Sequence, residues 1–308
     1  MRYENLLTRS FAILRRRPWL WLLALFAGET SSGGGGGGGS VNFQLTERQP
    51  VPDLSWLPQW LADRAGLIIE IALAVLVVSL AWFVVSCLAS GALVGAVARI
   101  DAGEPMTFGA AWRIGVAAFR RVLALKLLLA VAVLVPALLL VIPPLAGSLG
   151  GTRGLLSGVL IDLPLLFALI YWAAFLGWFS QLALRACVLE QLGARPAVAA
   201  AWALLKRRFH RIAITTLVFI GAGIGIGILT SVLFALLEAP FLASLVAEVS
   251  QGRWAELPGT VLLWLAILSP VSLAISSLVG AYFAIAWTLA YRRFDVEGEL
   301  AEPPPLAA

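Results

Sequence analysis

Apolar residues in this chain do not alternate with polar ones; they gather into long blocks. Residues 66–97, 122–146, 155–184, 212–237 and 257–290 are runs almost free of charge. A helix needs about 20 mostly apolar residues to cross ~30 Å of hydrocarbon, and all five runs are long enough. A sixth and shorter run covers residues 18–28, Pro-Trp-Leu-Trp-Leu-Leu-Ala-Leu-Phe-Ala-Gly. As a helix it rises only about 16 Å. The pattern predicts an all-α protein, a polytopic transmembrane helix bundle of about six spans.

The short run bears on topology. It follows Arg15–Arg17, as the apolar part of a signal peptide would, but Glu4, two tryptophans and the lack of an Ala-x-Ala site argue against cleavage. A short first span is the preferred reading, because the basic residues then fall on one side of the membrane. Of the 22 Lys and Arg residues, only Arg48, Arg64, Arg153 and Arg253 lie in the alternate loops. Cytoplasmic ends of membrane helices are enriched in Lys and Arg, so both termini are expected to be cytoplasmic.

Composition narrows the class further. Hydrophobic residues make up 61% of the 308 and charged residues 13%, with a mean hydropathy of +0.94. Little is left for a soluble domain, so residues 1–308 are read as one integral membrane domain. Residues 29–65 form a Gly-rich extracytoplasmic loop, in which seven glycines (33–39) act as a flexible tether. No Lys-Ser/Thr pair or helix follows them, as a phosphate-binding loop requires. The net charge of +5 is explained by residues flanking spans, where each attracts anionic headgroups by about 1 kcal/mol. Membrane lipids are the expected partners. Nucleic acid is not, because no soluble basic surface exists to bind it.

A repeat organises the chain. Copies of a basic amphipathic element precede the odd-numbered spans, with residues at spacings of four, three and four: Leu7, Phe11, Leu14, Pro18; Phe108, Trp112, Gly115, Phe119; and Val198, Trp202, Leu205, Phe209. The second and third copies share Ala-Ala-Trp and Phe-basic motifs at an offset of 90 residues, and each follows a glycine, Gly103 or Gly193. That spacing gives one apolar helix face and leaves Arg120, Arg121, Arg207, Arg208 and Arg211 for lipid headgroups. Such helices lie in the membrane interface. The chain thus reads as three helical-hairpin repeats, about 1–103, 104–193 and 194–308.

Chemistry-bearing residues are few. Glu70, Asp162 and Glu238 lie near the outer ends of the second, fourth and fifth spans, and intramembrane acids are functional candidates by default. If their helices adjoin, they line an outward-facing vestibule. Lys126 is expected to snorkel to the inner interface, and Arg185 with Glu190 to form a helix-end pair. Gly221/Gly225 and Gly223/Gly227 match the small-x-x-x-small pattern of close helix packing, within the bundle or as a self-association face. Pro136, Pro143, Pro144, Pro164 and Pro270 would bend their helices. Cys87 and Cys187 read as buried hydrophobes. His210, the one histidine, belongs to the basic face. No spacing of His, Cys, Asp or Glu suits a metal, and no serine has a base and an orienting acid on its side of the membrane. The expectation is no enzyme, no catalytic residue, no metal and no cofactor.

The return-span endings Val-Gly-Ala-Val-Ala-Arg-Ile-Asp-Ala-Gly (94–103) and Cys-Val-Leu-Glu-Gln-Leu-Gly (187–193), with the closing Ala-Trp-Thr-Leu-Ala-Tyr-Arg-Arg-Phe (286–294), resemble a group of bacterial six-helix integral membrane proteins. These are similar in turn to the membrane domain of glycerophosphoryl diester phosphodiesterases. The resemblance spans nearly the whole chain and implies a bacterial inner (plasma) membrane protein. The catalytic phosphodiesterase domain has no counterpart here, so no activity carries over. The preferred reading is a non-enzymatic accessory or scaffold protein engaging lipids, a partner complex or a second copy; the alternative is a small-molecule or lipid transporter or permease.

Overall fold

The computed structural model describes residues 3–28, 64–140, 142–143, 151–250 and 257–299. Among them are seven α-helices and no strand: α1 (Tyr3–Arg16), α2 (Trp19–Ala27), α3 (Ala65–Asp101), α4 (Phe108–Leu139), α5 (Gly151–Leu189), α6 (Ala194–Ser250) and α7 (Leu257–Glu299). Helices α3 to α7 are long and apolar enough to cross a membrane. The protein is an all-α, multi-pass membrane protein. Five helices reach spanning length rather than six. The expected first span is α2, nine residues long, and the chain beyond it up to Arg64 lies outside the described residues, as does the glycine tract.

The ends of the helices follow local chemistry. Thr107 caps α4 by accepting a hydrogen bond from the Ala110 amide at 3.3 Å. At the end of α3, the Gly103 amide donates to Ile100 and the Glu104 amide to Arg99. That pairing requires the positive φ of 86° at Gly103. The second hairpin ends differently: its left-handed residue is Gln191, φ 56°, rather than Gly193.

The three basic elements join their spans in three ways. α1 is separated from α2 by Arg17 and Pro18. The second element runs without a break into α4. The third continues into α6 through a non-helical residue, Arg208. In each, the buried residues are not the aromatic ones. Leu6, Ser10 and Leu14; Ala111, Gly115 and Ala118; and Ala197, Ala201 and Leu205 are buried, whereas Phe11, Phe108, Trp202 and Phe209 are exposed. Small side chains let helices approach closely, and the aromatics are left for the surroundings.

α2 is wedged between α3 and α7. The closest approach is between α3 and α4. A Cβ on Gly91 would lie 3.3 Å from Ala118 Cβ, one on Gly95 would lie 2.5 Å from Ile114 Cγ2, and one on Gly115 would collide with the Leu88 carbonyl oxygen. The expected close packing at Gly221 and Gly225 is not seen: a Cβ there, or on Gly227, meets nothing within 4 Å. Burial is concentrated at the end of the bundle holding α1 and the end of α7. In α3, every residue from Ile69 to Trp82 is exposed, while Ser86 to Val97 are buried apart from Leu88. The helices continue past Pro136, Pro164, Pro240 and Pro270.

At that end Asp101 ties three helices together. Arg9 of α1 lies 2.6 Å from its Oδ1, and Arg292 of α7 donates to its Oδ2 at 2.6 Å and to the Ala98 carbonyl at 2.8 Å. One residue away, the buried Tyr291 hydroxyl donates to Glu190 at the end of α5. The last helix is thus fastened to the acid that ends each of the two preceding hairpins.

Candidate functional site: a cationic cavity inside the bundle

α2 ends inside the protein. Ala27 is buried, and its carbonyl, like the others in the last turn, has no partner within its own helix. α3 supplies one: the Ser86 hydroxyl donates to the Ala27 oxygen at 2.9 Å, and Ser90 lies 3.3 Å from it. Most buried hydroxyls in the bundle bond back four residues within their own helix, as do Ser10, Thr215 and Thr288. Ser86 crosses between helices instead.

Lys126 of α4 completes this arrangement. Its ammonium lies 2.9 Å from both Ser86 Oγ and Ser90 Oγ and 3.4 Å from the Ser86 carbonyl. The expected snorkelling to the interface is therefore corrected. Lys126 turns into the bundle, fifteen residues or ~22 Å along α3 from Asp101. A charge near the middle of a span costs ~2.5–3.5 kcal/mol on insertion scales. Here the hydroxyls and the negative end of the α2 dipole, worth up to ~2 kcal/mol in partly buried geometry, offset that cost.

The ammonium borders a cavity of about 730 Å³ lined by α2, α4, α5, α6 and α7. Its apolar wall includes Leu129, Phe219, Phe283 and Trp287, with Phe219 edge-on to Trp287 at 5.0 Å and to Phe283 at 6.2 Å. Trp178 also lines it, its indole N–H donating to Thr216 Oγ1 at 2.8 Å. Gly177 and Ile220 line the cavity and are exposed, so it is open rather than sealed.

Below Gln181 lies Arg185, completely buried. Its guanidinium donates to the Gln181 backbone carbonyl at 2.6 Å, to Gln181 Oε1 at 2.5 Å and to the Ala284 carbonyl at 3.2 Å. The simple helix-end pairing expected for Arg185 and Glu190 gives way to these contacts, with Glu190 engaged by Tyr291. Because a guanidinium only donates, Gln181 must present its oxygen to Arg185 and turn its NH₂ the other way. Gln181 itself lines the cavity.

The residues singled out from sequence lie elsewhere. Glu70 is exposed on α3 and Glu238 half-buried on α6, two helices that are not packed neighbours. Asp162 lies in α5, and its side chain is outside the described residues. Arg120, Arg207 and Arg211 are exposed, and Arg121 and Arg208 half-buried, around the basic end. Cys87 and Cys187 are both buried. Among the described residues no group of His, Cys, Asp and Glu is placed to hold a metal ion. One signal for the cavity was present in the sequence: Lys126 and Thr216 are 90 residues apart, the repeat offset, and both line it. No protein-family model, curated protein or solved structure matches the chain.

Proposed function

We propose that this protein binds an amphiphilic molecule in the cavity beside Lys126 and handles it within the bilayer, as a lipid or small-molecule transporter or permease does. The observation that carries this reading is the cavity itself. At about 730 Å³ it falls within the ~300–1,000 Å³ of small-molecule sites, and it combines an aromatic wall with a few convergent polar groups. The reading is non-enzymatic: the polar groups of the cavity hold and orient. We place the protein in a bacterial inner membrane with both termini cytoplasmic. The exposed Trp202 and Phe209 beside Arg207 and Arg211 support contact of that end with anionic headgroups.

The test is chemical. Organic extracts of the purified full chain are compared by mass spectrometry with those of Gly177→Leu. Gly177 lines the cavity and a Cβ there meets nothing within 4 Å, so leucine fills space without a clash. A stoichiometric amphiphile in the wild type that is missing from Gly177→Leu supports the proposal. The same extract from both, alongside a stoichiometric protein partner, would favour the scaffold reading.

A further inference from the structure

We infer that the cavity opens sideways to the hydrocarbon between α5 and α6, and that its occupant is the acyl chain of a bilayer lipid rather than a solute from water. The inference rests on the proposed function and adds the source of the ligand and its route in. The rim of the cavity carries it. Ala174 and Gly177 of α5 and Ile220 of α6 line the cavity and are exposed. Trp178 and Thr216, whose bond joins the same two helices, lie one turn nearer the basic end than Ala174 and Ile220. The opening is thus the gap beyond that bond. Small side chains leave it clear: a Cβ on Gly177, or on Gly221 beside Ile220, meets nothing within 4 Å.

The depth of this rim decides what can reach it. Ile220 lies ~14 Å along α6 from Arg211, and Gly177 lies ~18 Å along α5 from Leu189, the end of that helix. Both are near the middle of ~30 Å of hydrocarbon. Gly28 also lines the cavity and is exposed; it stands ~16 Å beyond Arg17, so that edge is equally deep. Farther from the basic end, the two helices expose Phe167 and Ile170 on α5 and Ile224 and Ile228 on α6. A water-filled path over these side chains would wet apolar surface at about 25 cal/mol per Å². Acyl chains cover it at no such cost. Inside the rim the same kind of surface continues, because Phe219, Phe283 and Trp287 wall the cavity.

The experiment is photolabelling of the full chain in phosphatidylcholine vesicles, with the labelled residues mapped by mass spectrometry. Three diazirine probes are compared: a phosphatidylcholine with the diazirine near the methyl end of one chain, one with it on the head group, and water-soluble azipentanoate. Phe219, Phe283 and Trp287 are buried, so a probe must enter the cavity to reach them. The chain-end probe should label them at least about 5-fold more than either of the others. Gly177→Leu, which obstructs the rim, should lower that labelling about 5-fold and leave labelling of the exposed Ile224 unchanged. If Gly177→Leu does not fold, Ala174→Leu obstructs the same rim. Equal or greater labelling of the wall by azipentanoate overturns the inference and leaves the cavity a site for a small molecule from water. Undiminished chain-end labelling in the rim variants also overturns it, since the chain would then enter elsewhere. So does a wall labelled by none of the probes. In that case the organic extracts of wild type and Gly177→Leu decide separately whether the proposed function stands.

Discussion

The Ser86 hydroxyl reaches across from α3 to the last carbonyl of α2, 2.9 Å from the Ala27 oxygen, while accepting from Lys126 at 2.9 Å. One hydroxyl thus joins three helices and terminates a helix that ends inside the bundle. Removing it takes away the shorter bond to the Ala27 carbonyl and one of the two hydroxyls on the Lys126 ammonium. Ser86→Ala should therefore cost about 1.5–3 kcal/mol, the range for bonds to charged groups. Ser90→Ala should cost less, because Ser90 also bonds back to the Ser86 carbonyl at 2.7 Å. Thermal unfolding of both variants in the same detergent checks this; equal losses would contradict it.

The α3–α4 contact makes a sharper steric prediction. Gly115→Ala drives a methyl group into the Leu88 carbonyl and to 3.0 Å from Ala92 Cβ, and overpacking typically costs about 1–3 kcal/mol. Gly225→Ala meets open space and should be neutral or stabilising by up to ~1 kcal/mol through helix propensity. Comparing the two melting temperatures tests which glycines hold the bundle together.

Asp101 should behave as a clamp for α1. Asp101→Asn removes the charge that Arg9 and Arg292 share, with both arginines partly exposed. Solvent screening keeps the expected loss to about 1 kcal/mol. The clearer readout is local: hydrogen exchange of α1 should rise more than that of α4. Tyr291→Phe, which releases Glu190 at the next position, should leave exchange in α1 unchanged.

Much of the fold was legible because hydrocarbon demands long uncharged helices, and five of them appear where the apolar blocks lie. The packing was less legible, because apolarity does not separate a lipid-facing residue from a protein-facing one. The stripe through Trp112 and Trp202 is the visible pattern, yet its tryptophans are not buried, and the buried rows include small residues beside it, such as Ala111 and Ala201. Lys126 extends one of those rows, four residues beyond Val122 and eight beyond Ala118, and so points inward rather than snorkelling. Gly221, Gly225 and Gly227 of α6 fit the motif but face open space, whereas Gly91, Gly95 and Gly115 lie at the close α3–α4 contact. For Gln181 and Arg185, the informative relation is to Ala284 of α7, 99 residues from Arg185, which no local pattern encodes.

Trp178 offers an optical check on the cavity. Its indole N–H is held by Thr216, and Thr216→Val should cost about 0.5–1.5 kcal/mol while freeing the indole to move. Among the protein's 12 tryptophans, the fluorescence difference between wild type and Trp178→Phe isolates its signal. That signal should change on adding hexadecanoate to wild type and not to Gly177→Leu. An unchanged wild-type signal would place the probe elsewhere.

The most direct test of the account is a cryo-electron microscopy map of the full chain, purified gently from its own membranes and enlarged by a bound antibody fragment. The account predicts elongated non-protein density beside Lys126, running from the rim at Gly177 to Phe283 and Trp287. A collapsed cavity, or one filled by the protein's own chain, would contradict it.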